Sequence, residues 1–362
     1  MGVVAAVAAA IGGTLLTMSQ LKKEVVVPAH ESYKKMSFSL AKARPKFSEK
    51  VGPSSDYVSR PSIEKKVLDV FEKKSLQSGT YFVMYGPKGA GKSSVVARVL
   101  GDKTGVAKIS ISQGDTTSSI LIEICKVCGQ TLIESPRLDD FTGVLTDAAE
   151  KNGGLPVTVV FEVERGSSSP EVLSLVKHVA KSFALNANVL IVLSEANAVL
   201  GFGDDQRQKF IWVNEMSRAE AEEFVKRRVP SISTEDFNRF VDSIGTLPLS
   251  LTMLCDALLT GQKVDDFIRS ALASAKVDLV AFLHQPILAA LKKSPEGVSV
   301  MSFGGVKHEG VLLSSPKLVA PAMKITNAII FDFETGQYKL FSKAHQTALK
   351  NYDPREGKWL GW

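Results

Sequence analysis

Only three cysteines occur in the 362 residues: Cys125, Cys128 and Cys255. So sparse and odd a set excludes a disulfide framework, and one Cys-x-x-Cys without a second pair is poor support for zinc. Cys125 and Cys128 fall in and just after the apolar run 120–127, where the i, i+3 spacing puts both on one helix face. They are expected to be buried structural thiols in a reducing, intracellular compartment. The body of the chain also lacks charge imbalance. The formal net charge is +6, but eight Lys or Arg against three acids in the first 50 residues supply five of those units. The remainder is close to neutral, which argues against a broadly basic nucleic-acid-binding body. Disorder is not the default either, because 44% of the residues are hydrophobic and 23% charged, ordinary values for a folded protein.

Charge is wholly missing from Gly2 to Leu21, after which Lys22 and Lys23 follow. Twenty residues at the helical rise span about 30 Å, a bilayer core. The segment is mostly Ala, Gly, Thr and Ser, so insertion is marginal. It lacks the basic start of a secretory signal, and Ala6 stands where a myristoylation signal wants Ser or Thr. Three readings stay open for 1–23: a membrane anchor, a cleaved organelle-targeting segment, or a protein-contact helix. Residues 24–56, with Pro28, Pro45, Gly52 and Pro53 and no sustained period, read as a linker.

What is present is more specific. The run 81–85 (Tyr-Phe-Val-Met-Tyr) has strand character and leads into Gly86-Pro87-Lys88-Gly89-Ala90-Gly91-Lys92-Ser93. That is the full Gly-x-x-x-x-Gly-Lys-Ser pattern, followed by Ser94 and an apolar helical period at 95, 96, 99 and 100. Glycines let the backbone N–H groups turn inward around a phosphate at the positive end of the next helix. Lys92 is then placed for the β- and γ-phosphates of ATP or ADP, and the Ser93 hydroxyl for Mg²⁺.

Hydrolysis also asks for an acid on a neighbouring strand. The run 156–164 (Pro-Val-Thr-Val-Val-Phe-Glu-Val-Glu) ends in carboxylates. Glu162 stands where a Mg²⁺-holding acid is needed, and Val163 takes the place where a catalytic Glu is expected. Glu164 comes one position later. On an extended strand Glu162 and Glu164 share a face while Val163 points away, so either can reach a nucleotide. A further apolar strand, 189–193, closes with Ser194, a candidate γ-phosphate sensor or simply a strand cap.

Strand patterns at 81–85, 106–111, 157–161, 189–193 and 210–213 alternate with helical ones near 93–100, 118–128 and 170–184. Such alternation predicts an α/β fold, a parallel sheet with helices on both faces. Ser217 to Glu220 is a capping box, a second helix runs 234–244 to Gly245, and Pro248 starts a third. Beyond residue 281 come helices and a hairpin around Glu334 to Gln337, the pattern of a winged-helix-like module with few basic residues. The expected organisation is 1–23 anchor or targeting segment, 24–56 linker, 57–214 P-loop NTPase core, 215–275 helical lid, and 276–362 winged-helix-like domain and tail.

The order of these pieces resembles the AAA+/STAND division of P-loop ATPases, near the archaeal-type ATPases and the NTPase modules of Crinkler-like proteins. In that group a Val-x-Arg box lines the adenine pocket, which Val58-Ser59-Arg60 matches. A lid proline contacts the nucleotide; Gly245-Thr246-Leu247-Pro248 reads Gly-x-x-Pro and so implicates Pro248. Two departures stand out: the adjacent Asp-Glu pair is missing, and no arginine follows Ser194, leaving Arg165, Arg207 and Arg218 as substitutes. The resemblance implies an ATP-binding protein with slow ATP hydrolysis, acting as a nucleotide-dependent switch with a protein partner or by self-association. The alternatives are a scaffold subunit in a membrane or organelle assembly, with ATP as a structural ligand and membrane contact through 2–21, and a DNA-associated ATPase, for which the basic patch is thin.

Overall fold

The computed structural model describes residues 33–47, 57–74, 76, 78–129, 136–202, 206–282, 284–325 and 328–352. The segment 1–23 and the C-terminal tail from 353 lie outside the described residues. Among the described residues no helix is long and apolar enough to cross a membrane.

Five parallel strands form the central sheet: β1 (Tyr81–Tyr85), β2 (Val106–Ile111), β3 (Thr158–Val163), β4 (Asn188–Leu193) and β5 (Gln208–Trp212). Their order is β2-β3-β4-β1-β5. β1, β3 and β4 are nearly continuous apolar runs, as strands covered on both faces must be. On one face α1 (Pro61–Phe71) and α2 (Lys92–Leu100) pack Ile63, Val67, Val95 and Leu100 against Met84 and Leu190. The other face carries α3 (Thr117–Val127), α4 (Leu138–Lys151) and α5 (Pro170–Phe183), whose Ile120, Phe141 and Phe183 meet Tyr81, Val83 and Phe161. The predicted α/β core is therefore present, and all parallel strands end on the side where the glycine loop begins.

The structure differs from the expectation at 24–56. Residues 33–41 are helical, and Met36 and Leu40 are fully buried in the same cluster as Ile109 and Val159. Tyr33 donates to Asp140 at 3.0 Å, and the amide of Val106 donates to the Ala43 carbonyl at 3.2 Å. This part of the expected linker is a piece of the core, held by an apolar i, i+4 pair too short to show as a period.

Beyond β5 the chain is helical: α6 (Arg218–Arg228), α7 (Thr234–Ile244), α8 (Pro248–Leu259), α9 (Val264–Ala281) and α10 (Gln285–Lys293). The capping box at Ser217 and Glu220 is formed, with Ser217 N donating to Glu220 at 2.7 Å. The C-terminal part adds a three-stranded antiparallel sheet, β6-β10-β9, from β6 (Val298–Ser299), β9 (Ile329–Asp332) and β10 (Gln337–Leu340). A two-stranded hairpin, β7 (Lys307–His308) and β8 (Val311–Leu312), precedes α11 (Pro316–Ile325), and α12 (Lys343–Lys350) closes the described chain. One apolar cluster runs from Met216 to Tyr352. The expected boundary at 275 falls inside α9, so lid and C-terminal part share a core.

The tip of the β9–β10 hairpin reaches back to the large sheet. Phe333 stacks on Phe210 with centroids 5.0 Å apart, and Tyr85, the last residue of β1, stands edge-on to Phe333. Tyr85 Oη donates to Asp332 at 3.2 Å and accepts from the Phe333 amide at 3.0 Å. Burial pushes the Asp332 carboxyl up, but Lys339 and Thr335 outweigh it and hold the group below the usual carboxylate range. Removing the hydroxyl leaves the Phe333 amide without that acceptor, so Tyr85→Phe should lower stability by about 1–2 kcal/mol in urea unfolding. The thiols are buried, and burial pushes Cys125 up to about 11 and Cys128 to about 12. An aromatic disulfide reagent should therefore leave both unlabelled in native protein at neutral pH and label them on unfolding.

Candidate nucleotide site

The loop 86–91 departs from β1 at the C-terminal edge of the sheet. Its glycines are there by necessity. A Cβ on Gly86 (φ 150°) would stand 2.1 Å from the Val213 carbonyl oxygen, and Gly89 and Gly91 hold φ of 81° and 85°, a region L side chains rarely adopt. Gly91 caps α2, whose amides open toward the loop and carry the positive end of the helix. Lys92 is 6% exposed and donates to the carbonyls of Gly86 and Pro87, both at 3.0 Å. Lys88 and Ser94 are half-buried, and Pro87 and Ala90 are buried.

Glu162 meets Ser93 directly. The Ser93 hydroxyl donates to Glu162 Oε1, and Lys108 Nζ lies 2.7 Å from Glu162 Oε2. Glu164, expected to share this face, is exposed and accepts from Ser112 at 2.9 Å, beyond the end of β2. Val163 is buried on the opposite face. Ser194 directly follows β4, which lies between β3 and β1, and its amide donates to the Val163 carbonyl at 3.3 Å. It sits at the same edge as Glu162 and the loop.

Arg60 joins the loop to the start of the helical part. It is 3% exposed and donates to the Ala90 carbonyl at 2.6 Å, to Asn214 at 2.7 Å and to Glu215 at 3.1 Å. Its Nε is buried without a partner, and burial lowers its pKa. A cleft of about 470 Å³ opens beside it, lined by Arg60, Ile63, Asn214, Ser217 and Thr246 among others. Val58 does not line this cleft. It is 1% exposed and packs with Met216, Ala221 and Phe224. The start of α8 sits on the loop: Leu249 N donates to the Gly89 carbonyl at 3.1 Å, and the Pro248 ring lies 3.8 Å from where a Gly91 Cβ would be.

No protein-family model matches the chain, and no curated protein is similar to it in sequence. Solved structures do match. A Walker-type ATPase of Pyrococcus abyssi superposes with a TM-score of 0.54 at 17% identity, over 86% of this chain and 99% of that one. The fold is that of a P-loop NTPase. Two looser resemblances, each with a TM-score of 0.35, are to a STAND-class signal-transduction ATPase of Pyrococcus horikoshii and to domain III of the replication initiation protein DnaA of Thermotoga maritima. The first is at 14% identity over 88% of this chain and 44% of that one, the second at 11% over 59% and 90%.

The residues of this P-loop fit an ATP phosphate tail and Mg²⁺. Left-handed glycines, a helix N-terminus and an ammonium surround one loop, while a hydroxyl and a carboxylate oxygen are already in contact, the hard-oxygen pair a divalent ion prefers. Mg²⁺, when bound, supplies charge neutralisation to the phosphates. Among the three substitute arginines, Arg207 is at the wrong edge of the sheet: its carbonyl accepts from Tyr81 N, where β1 begins. Arg218 is turned to Asp242 and Asn238 on α7. Arg165 is exposed beyond β3, on the loop side. Sequence reasoning missed Lys108 and Glu215. Glu215 accepts from the amides of Thr246 and Lys343, tying the α7–α8 turn to α12; its only signal was its place just after the last strand of the parallel sheet.

Burial pulls the Lys92 ammonium down from its usual 10.5 to about 8. The folded value lies below the unfolded one, so burying this charge opposes folding by on the order of 3 kcal/mol below pH ~8. That opposition fades as pH rises from about 8 to about 10.5. A phosphate beside Lys92 restores the charged form. Nucleotide binding should therefore take up protons, increasingly so between about pH 7 and about pH 9, with affinity falling over that range. Calorimetry in two buffers of different ionisation enthalpy reads the uptake; identical heats at the upper pH would contradict it.

Proposed function

We propose that the protein binds ATP with Mg²⁺, hydrolyses it slowly, and uses the nucleotide to set the position of its helical lid. The supporting observation is that the lid is bonded to the same short loop whose glycines and Lys92 face a ligand. Gly89 already holds Leu249, Ala90 holds Arg60, and the same loop presents its glycines and Lys92 to a ligand. A ligand favouring one arrangement of that loop shifts the lid with it. Of the expected adenine-side residues Arg60 lines the cleft and Pro248 approaches Gly91, while Val58 packs into the lid core just ahead of α1. A protein partner, or a second copy, is the natural reader of such a movement.

Slow turnover is favoured by Glu164, which is tied to Ser112 rather than placed beside Ser93. The same observation favours the second reading, a scaffold in which ATP is structural. DNA binding through a winged-helix-like C-terminal part is less well supported, because the hairpin tip is packed against Phe210 and Tyr85 and Glu334 is 3.9 Å from Lys66. A membrane or organelle address rests on residues 1–23 alone.

Purified protein should bind ATP with Mg²⁺ in calorimetry, and Lys92→Ala should weaken it about a hundredfold, the worth of the charged contacts it removes. Unaltered affinity in that variant would end the proposal. Phosphate release should be slow and should fall to background in Glu162→Gln. Release indistinguishable from background in the wild type would favour the scaffold.

A further inference from the structure

β2 and β3 run parallel in a register that pairs Lys108 with Val160 and Ser110 with Glu162. Lys108 and Glu162 are thus diagonal neighbours on one face, within reach of a long side chain. The contact is direct, 2.7 Å between Nζ and Oε2, with side chains only 12% and 19% exposed. The Phe47 ring lies 5.5 Å from the same ammonium, a position that favours the cation. A pair this sheltered is screened far less than a surface ion pair.

The other oxygen of Glu162 receives the Ser93 hydroxyl. Both carboxylate oxygens are therefore engaged, one by the residue placed for a divalent ion and one by a fixed cation. We propose that Lys108 is a positioning residue that sets the metal demand of the nucleotide site: it holds Glu162 against Ser93 and, by cancelling the charge of the carboxylate, weakens its hold on a divalent ion. This rests on the nucleotide reading of the loop. Two effects oppose each other when the lysine is removed. The carboxylate loses a partner that orients it, which weakens metal binding, and it regains a full negative charge while a nearby repulsive one disappears, which strengthens it. The charge effect is the larger, because a dication feels both changes at short range in a poorly screened site, whereas Ser93 still orients Glu162.

The test uses Mn²⁺, counted by electron paramagnetic resonance, titrated into the full chain with ADP. Lys108→Met should tighten Mn²⁺ by about tenfold or more relative to wild type, a shift expected from removing one unit charge at close range. Lys108→Gln, which keeps a hydrogen-bond donor for Glu162, should do the same and guards against a folding defect. Lys108→Arg should stay close to wild type. In a Glu162→Gln background Lys108→Met should tighten Mn²⁺ clearly less than in the wild-type background, because only the loss of the lysine's own repulsion remains, whereas a merely structural lysine would show the same change in both. If wild type binds ADP and neither neutral variant tightens Mn²⁺, the lysine assignment falls alone. If wild type binds no ADP, the nucleotide reading falls, and with it the basis for the lysine.

Discussion

A buried ammonium is the constraint around which the rest is arranged. Lys92 is almost wholly removed from water, and its partners are carbonyls of its own loop. Two neutral acceptors do not replace the hydration of a full charge, and that deficit pulls its pKa down. The loop can hold so unfavourable a group only because neighbouring parts fix it. Gly86 is wedged against Val213, Gly89 against Leu249, and Ala90 is held by Arg60. The site is stabilised from outside so that a charge can wait inside, which is how a binding site stores affinity for an anion at the expense of the free protein's stability.

Much of this was legible in the sequence because it is local. The loop needs glycine at fixed offsets, and the strand before it and helix after it leave periods that need no partner to be seen. The Ser217 capping box, the Gly245 stop and the Pro248 start are likewise decided within four residues. What was missed is either diluted by its neighbours or depends on distant chain. α1 hid a clear Ile63, Val67, Val70 stripe among charges, and α9 spreads Val264, Ile268, Ala275 and Leu279 among alanines that carry little hydrophobic signal. The helix at 33–41 rests on Met36 and Leu40, whose value appears only once β2 lies beneath them.

The acids show the same limit more sharply. Alternation along β3 does put Glu162 and Glu164 on the side opposite Val163. Which neighbour each one meets is set by the register with β2 and by the β2-β3-β4-β1-β5 order, and neither is written in the run 156–164. Glu162 faces Ser93 and Lys108, while Glu164, one pleat farther, has passed the end of β2 and finds Ser112. Lys108 was invisible for that reason: a lone lysine in an apolar strand reads as an edge residue until the opposite strand supplies its carboxylate. Arg60, by contrast, was named through a family pattern, and its bonds to Ala90, Asn214 and Glu215 give that pattern a physical content of its own.

Magnitudes decide which parts of the molecule a nucleotide can move. The lid is tied to the loop by Leu249 to Gly89 and, through Arg60, by Ala90 to Asn214 and Glu215. These are a handful of hydrogen bonds at roughly 1 kcal/mol net each, somewhat more where Arg60 is the donor. A micromolar ligand releases about 8 kcal/mol, and swinging a two-state equilibrium from one extreme to the other takes about 5.5 kcal/mol of differential binding. Lid contacts of this size are within reach. The hairpin contact is not of the same kind: Phe333, Phe210, Tyr85 and Trp212 form an aromatic cluster, and Tyr85 also exchanges hydrogen bonds with the hairpin. Because Tyr85 precedes Gly86 directly and β5 ends one residue before Val213, this cluster pins the root of the loop, while its tip is held by the smaller set of lid and Arg60 hydrogen bonds.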